Sequence, residues 1–378
     1  MEIYLDNSAT TKAYPEVAEL VADIMLHDYG NASSMHQKGV DAEKYLKYSK
    51  SVIAGIMKVK EKEIFFTSGG TESDNWALMG AAFANQRSGK HLITTQIEHP
   101  AVLRTMDHLK ELGFEVTYLS VDEYGHISLE ELKRAVRPDT ILVSIMFVNN
   151  EVGAIQPIDE AGEIIKSVNP RTLFHVDAVQ GFGKLRLLPK KWKIDMVSVS
   201  GHKIHAPKGV GALYVKKGLI LPNLIHGGGQ ENGLFSGTEN MPAIAGFGAA
   251  AAALPDPMTM QRDMKRLRRR LITKLSKVPT ILFNSPDNGL ASIVNISILG
   301  MPSQVLVNCF SERGICVSAG SACKSGHRRE VLTQLGFSPI RIDSAIRVSM
   351  SRFTTEEEID RFVEVAIEAS NELRQKVF

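Results

Sequence analysis

The chain has 378 residues, 44% of them apolar and 23% charged, with a formal net charge of +2. That length exceeds one compact core and suits two domains, and the near-neutral balance gives no reason to expect direct nucleic-acid binding or an anionic membrane surface. Three cysteines, Cys309, Cys316 and Cys323, are too few and odd in number for a disulfide framework.

The first residues, Met1 to Asp6, lack a basic stretch followed by a long apolar run, so no secretory signal is expected. Together with the cysteine usage this points to a cytoplasmic protein. Strand-like and helix-like segments then alternate. Strands are expected at 63–67, 91–95, 114–120, 140–148, 172–176, 194–198 and 211–215, and helices at 72–87, 101–112, 129–135 and 158–167. The alternation predicts an α/β fold with a mostly parallel seven-stranded sheet flanked by helices, whose ligands sit beyond the carboxyl ends of the strands. The alanine- and glycine-rich run 243–254 is too short to span a bilayer and reads as a packed helix.

After about Pro255 the pattern changes. A charged helix over 261–275 leads to strands at 292–298 and 345–349, and a last helix opens with a capping box at Thr355 to Glu358. These make a smaller α+β domain. The expected division is a large domain over 13–257 and a small one made of 1–12 and 258–378. The six basic residues from Arg262 to Arg270 read as a solvated helix face.

Several polar clusters fall at strand ends. Ser200-Gly201-His202-Lys203 follows one strand, and Asp177 follows an earlier one, in His175-Val176-Asp177-Ala178-Val179-Gln180. A lysine and a carboxylate so placed suit pyridoxal phosphate: the amine captures the aldehyde, and the acid keeps the pyridine nitrogen protonated. Alone, each has a plainer reading, as a surface lysine or a helix cap. Thr67 to Asn75 contains Gly69, Gly70 and Thr71 before a helix, which makes an anion cradle if a phosphate is present, with Ser200 and His202 as further donors. His99 can stack on a flat ring or cap the next helix. Asn150 can bond a phenolic oxygen or hold a turn. Arg347, flanked by apolar residues, needs an anion, either a substrate carboxylate or a structural acid. Cys323 lies in a small-residue loop beside Lys324, His327, Arg328 and Arg329, which favour its thiolate; Cys309 and Cys316 lie in apolar stretches and are expected to be buried spectators.

In combination these motifs resemble the cysteine desulfurases, fold type I pyridoxal-phosphate enzymes of the class-V aminotransferase type. The resemblance runs from Tyr4-Leu5-Asp6-Asn7-Ser8-Ala9-Thr10-Thr11 through the clusters above. It continues through His226-Gly227-Gly228-Gly229-Gln230-Glu231 and Ser236-Gly237-Thr238 to Ser321-Ala322-Cys323 and Arg347. The Ser-Ala-Cys loop is similar to the subgroup serving iron–sulfur assembly and thiolation.

The resemblance implies the following roles. Lys203 would hold pyridoxal 5'-phosphate and move the α-proton, Asp177 would face the pyridine nitrogen, and His99 would stack on the ring and act in proton transfer. Gln180 and Asn150 would bond the phenolic oxygen or the substrate. Gly70, Thr71, Ser200 and His202 would hold the phosphate, with Thr238 reaching across a homodimer. Arg347 would grip the L-cysteine carboxylate, and Cys323 would accept the sulfur as a persulfide and pass it to an acceptor protein. No metal site is implied. Asn232 and Phe235 stand where the family commonly has arginine, which favours a dedicated acceptor, such as a tRNA- or DNA-thiolation protein or a specialised cluster scaffold. The competing activity is selenocysteine lysis or another β-elimination on the same fold, for which a sulfur-accepting thiol is unnecessary.

Overall fold

The computed structural model describes residues 2–223, 225–319 and 330–376. Its centre is a seven-stranded sheet in the order Ile64–Thr67, Gly211–Val215, Met196–Ser200, Leu173–Asp177, Thr140–Ser144, His91–Thr95, Glu115–Leu119. Gly211–Val215 runs antiparallel to both of its neighbours, and the other pairings are parallel. The inner strands are buried on both faces, which is why they read as unbroken apolar runs such as Ile141-Leu142-Val143.

The expected strands all form, with shifted ends. The one expected at 194–198 is Met196–Ser200, so Lys203 lies in a short 3-10 turn, Gly201–Lys203, just beyond the strand. The strand expected over 140–148 ends at Ser144; the Ile145 and Phe147 N–H groups still donate to the His175 and Asp177 carbonyls, and the chain then reaches Asn150 at the cleft. Helices Gly70–Asn85, Pro100–Glu111, Leu129–Ala135 and Ile158–Val168 match the four expected ones within two residues or so.

Two further helices, Pro15–Leu26 and Gln37–Met57, pack against Met241–Ala252. Their contact requires small residues: a Cβ on Gly248 would lie 2.3 Å from the Ser49 hydroxyl. The alanine-rich helix is therefore buried in the protein, and among the described residues no helix is long and apolar enough to cross a membrane.

The C-terminal part holds a three-stranded antiparallel sheet, ordered Ala345–Ser349, Ile293–Ile298, Ile281–Phe283. Helices Pro257–Leu275 and Glu356–Lys376 pack on one another beside it. The Thr355 backbone N–H donates to Glu358 and the Thr355 hydroxyl accepts from the Glu358 N–H, closing the capping box. The N-terminal strand Ile3–Tyr4 pairs in parallel with Ile315–Cys316, and Ile3 and Leu5 join the apolar cluster of this part. That strand leads residues 6–11 across to the carboxyl edge of the large sheet.

Two expectations need correction. Cys309 and Cys316 are half-buried, not buried; Cys309 Sγ accepts from the Arg313 guanidinium at 3.0 Å, on the partly wet side of its helix. Within the basic run, Arg268 turns inward instead of joining a solvated face. It is 6% exposed and donates to the carbonyls of Pro286, Leu290 and Ile293, which replace the water lost on burial.

Candidate active site

The carboxyl ends of the parallel strands, the N-terminal segment and the strand bearing Arg347 enclose a cleft of about 800 Å³. Gly70, Thr71, His99, Asn150, Asp177, Gln180, Ser200, His202, Lys203 and Arg347 all line it. These residues come from six separate stretches of chain, and the fold brings them to one cleft. Thr238 lies elsewhere, exposed on the loop before Met241–Ala252. Cys323 lies outside the described residues.

Lys203 Nζ donates to the carbonyls of Ser8 and Ala9, at 2.5 and 2.7 Å. No carboxylate forms an ion pair with it among the described residues. Burial, and then the Arg347 charge, lower its pKa to about 8, so the amine sheds its proton far more readily than a surface lysine. Asp177 is 6% exposed and accepts the Val179 N–H at 2.9 Å. Burial pushes its carboxyl above the usual range, opposed by His99, that N–H and Lys203. A cation placed against it would restore the anion.

His99 caps helix Pro100–Glu111: its Nδ1 accepts the Ala101 N–H at 3.1 Å. That bond assigns the proton of the neutral ring to Nε2. Burial lowers the imidazole pKa, with Asp177 opposing and Lys203 adding to the shift, so the ring is neutral at pH 7. Capping and facing the cleft are thus compatible roles for one histidine.

The cleft floor holds acids that sequence reasoning passed over. Glu98 Oε1 accepts from the Thr95 hydroxyl and the Met146 N–H, both at 2.8 Å, while Oε2 is buried without a hydrogen-bond partner. Burial raises its pKa to about 8, so it carries a proton at neutral pH. Asp74, on the helix after the glycine turn, is raised by burial and by the Asp177 charge. Behind it His175, fully buried, bonds the hydroxyls of Ser144 and Ser198 and stays neutral, its pKa lowered to about 3 by burial. Of these three acids, Asp177 is the one whose upward shift is opposed by His99 and Lys203.

Arg347 meets the second of its readings. NH1 donates to the Asn150 carbonyl at 3.0 Å and NH2 to Asp6 Oδ1 at 2.8 Å, so a structural acid is present. Its Nε is buried with no hydrogen-bond partner. Asn150 contributes that carbonyl and lines the cleft, whereas Asn149 holds the turn, bonding the Ile97 carbonyl and the N–H groups of Glu151 and Val152. Beside the cleft, a smaller hollow is lined by Ser68, Gly69, Gly70, Thr71, Ser200 and His202. The first-turn N–H groups of helix Gly70–Asn85 open there. A Cβ on Gly70 would approach Val179 Cγ2 to 2.7 Å, so only glycine lets the helix start this close to the strand end. His202, bonded to the Thr10 hydroxyl through Nδ1, has its pKa lowered to about 4 by burial and is a neutral ring at pH 7.

The family model "Aminotransferase class-V" matches residues 3–362. The chain belongs to that family. It is 45% identical over 376 residues to the cysteine desulfurase IscS of Methanosarcina thermophila, covering 98% of this chain and 93% of that protein. Among solved structures, a NifS-like protein superposes with a TM-score of 0.93 at 39% identity, covering 98% of this chain and all of the other. A structure described as SspA in complex with cysteine gives 0.83 at 35% identity, covering 94% and 100%. This family member is a pyridoxal-phosphate-dependent cysteine desulfurase acting on L-cysteine. The donor set fits the cofactor: an amine of lowered pKa, a buried acid lacking a cation, and a glycine-opened helix end for a phosphate.

The N-terminal segment was the least visible part of the site. Its contribution is made by the Ser8 and Ala9 carbonyls, which any residue type could supply, so only the resemblance pointed to it.

Proposed function

We propose that this cleft converts L-cysteine to L-alanine and delivers the sulfur to Cys323 as a persulfide. The observation that carries the reading is the convergence of Lys203, Asp177, His99 and Arg347 on one cavity. When bound, the cofactor supplies an aldehyde for amine capture and a ring that withdraws electron density. Lys203 would hold it, Asp177 would face its pyridine nitrogen, His99 would lie against its ring, and Gln180 would donate to its phenolic oxygen. Gly70, Thr71, Ser200 and His202 would take its phosphate.

Arg347 binds the cysteine carboxylate, using the unsatisfied Nε and whatever Asp6 releases. Lys203, with its pKa near 8, takes the α-proton. His99 stays neutral and offers Nε2–H within the cleft. The Cys323 thiolate attacks the substrate sulfur, so an S–S bond forms as the substrate Cβ–S bond breaks. The Cβ gains a proton, alanine leaves, and Cys323 keeps the extra sulfur. No outside oxidant or reductant is consumed in this step.

The finer assignments belong to the same proposal. A homodimer is supported by apolar side chains left in water, among them Met35 at 100%, Ile220 at 81% and Tyr29 at 71% exposed. Thr238, exposed and apart from its own cleft, is free to serve a partner's site. The persulfide then passes to an acceptor protein for iron–sulfur assembly or for tRNA or DNA thiolation, in the cytoplasm. The division into 13–257 and 1–12 with 258–378 is supported by the separate apolar cluster of Ile3, Leu5 and residues of 260–369. Leu290 and Ile293 pack instead with the large-sheet core and tie the two parts together.

The test is alanine and sulfide production from L-cysteine with a reductant present, in the native protein and in Cys323→Ala. Activity lost with the cofactor still bound supports the persulfide route. Undiminished sulfide release from the variant would replace it with direct elimination.

A further inference from the structure

Lys184 is 8% exposed and has no role in the chemistry above. It lies four residues beyond Gln180, in the turns after the strand bearing Asp177. Its Nζ donates to Gln180 Oε1 at 3.2 Å. Among the described residues no carboxylate forms an ion pair with it. The charges that act on it are cationic: Lys203 and Arg347 both do so, and Arg352 shares a small cavity with it and Lys203. Burial, then Lys203 and Arg347, bring its pKa to about 7. An amine kept in such a place without a counter-ion needs another reason to be there.

The reason lies at the other end of the Gln180 amide. Gln180 Nε2 donates to the Ser8 carbonyl at 3.0 Å, and that same carbonyl accepts from Lys203 Nζ. A continuous hydrogen-bonded chain therefore runs from Lys184 through Gln180 and Ser8 to Lys203. An amide has two orientations that fill the same space. In the one observed, both N–H groups of Gln180 lie on the Ser8 side. In the flipped one, Oε1 would meet the Ser8 carbonyl, acceptor against acceptor, and Nε2 would meet the Lys184 amine.

We propose that Lys184 is a positioning residue, whose amine locks the Gln180 amide with Nε2 toward Ser8 and the cofactor cleft. The amine can donate whether charged or neutral, so the lock does not depend on its protonation. This inference rests on the reading of Gln180 as a donor to the cofactor and names what orients that donor. Loss of the lock weakens cofactor binding without removing any group that touches the cofactor.

The measurement is the dissociation constant of pyridoxal phosphate, followed by the visible absorbance that develops as it binds. Lys184→Met removes the donor and keeps an unbranched stem one atom shorter; the constant is expected to rise about five- to tenfold, the scale of one buried hydrogen bond. Lys184→Gln keeps a donor without the charge and is expected to stay within about twofold of native. In a Gln180→Leu background, Lys184→Met should add nothing, because the lock has no amide to act on. A folded Lys184→Met variant with native affinity, or effects that simply add in the double variant, would overturn the proposal. If Lys184→Met does not fold, Lys184→Gln decides: native affinity supports the lock, and a loss like that of a missing hydrogen bond refutes it. A native protein that develops no visible band would instead indict the cofactor reading.

Discussion

The two most charged regions of this molecule behave in opposite ways. Helix Pro257–Leu275 carries the densest run of cations, yet its outer charges stand in water and find carboxylates. Arg270 reaches Asp360 and Glu356 at 2.6 and 2.7 Å, and Lys274 reaches Asp360 at 2.6 Å. The cleft is charged as well, but the groups on its floor are buried and short of partners. Lys203 and Lys184 lack counter-ions among the described residues, and Asp177, Asp74 and Glu98 are all shifted upward by burial. Charge count therefore does not separate the two regions, and charge deprived of water locates the chemistry.

That contrast can be broken most severely at Lys203. Lys203→Ala is expected to lower alanine production at least about a thousandfold and to abolish the visible band of the bound cofactor. A band that persists unchanged would mean the covalent hold lies elsewhere. Arg347→Lys comes next. It keeps the charge but loses the planar fork, so the KM for L-cysteine is expected to rise about ten- to a hundredfold with a smaller change in kcat. A fall in kcat alone would remove Arg347 from substrate binding.

Glu98 sharpens the comparison through pH. Its folded pKa, about 8, lies above its ordinary 4.5, so between those values the folded protein binds more protons than the unfolded chain. Stability of the cofactor-free protein should therefore fall as pH rises through that window, and Glu98→Gln, neutral throughout, should flatten the dependence. Melting curves across the window check the sign. The smallest effect is expected at the surface. Arg270→Ala should leave the turnover of L-cysteine essentially native and lower the melting temperature only modestly, since partly exposed ion pairs contribute little compared with groups of the cleft.

Much of this arrangement was legible in the sequence, and the reasons for the gaps are physical. The inner sheet strands are buried on both faces, so apolar runs bounded by polar turns marked them, and the edge strand Glu115–Leu119 showed in its β-branched and aromatic residues. Helices Pro15–Leu26 and Gln37–Met57 gave no such signal. The first has only Val17 and Ile24 buried and ends in exposed Met25 and Leu26, and the second buries small or polar residues such as Gly39, Ala42 and Ser49. Their fit depends on the glycines of a distant helix. In the site, residues at strand ends were visible because residue type and position agree there. Asp74 and Glu98 were not, because an acid becomes unusual only once tertiary packing removes its water. Asp6 needed the N-terminal strand to be paired before it could meet Arg347, 341 residues away.

The central claim is that the deprived charges of the cleft serve to load one sulfur onto Cys323. Mass spectrometry of the peptide carrying Cys323, after brief incubation with L-cysteine and without reductant, tests it most directly. The account predicts one added sulfur on that peptide in the native holoenzyme and none in Lys203→Ala. Alanine formed with no sulfur gained at Cys323, or sulfur gained equally without Lys203, would contradict it.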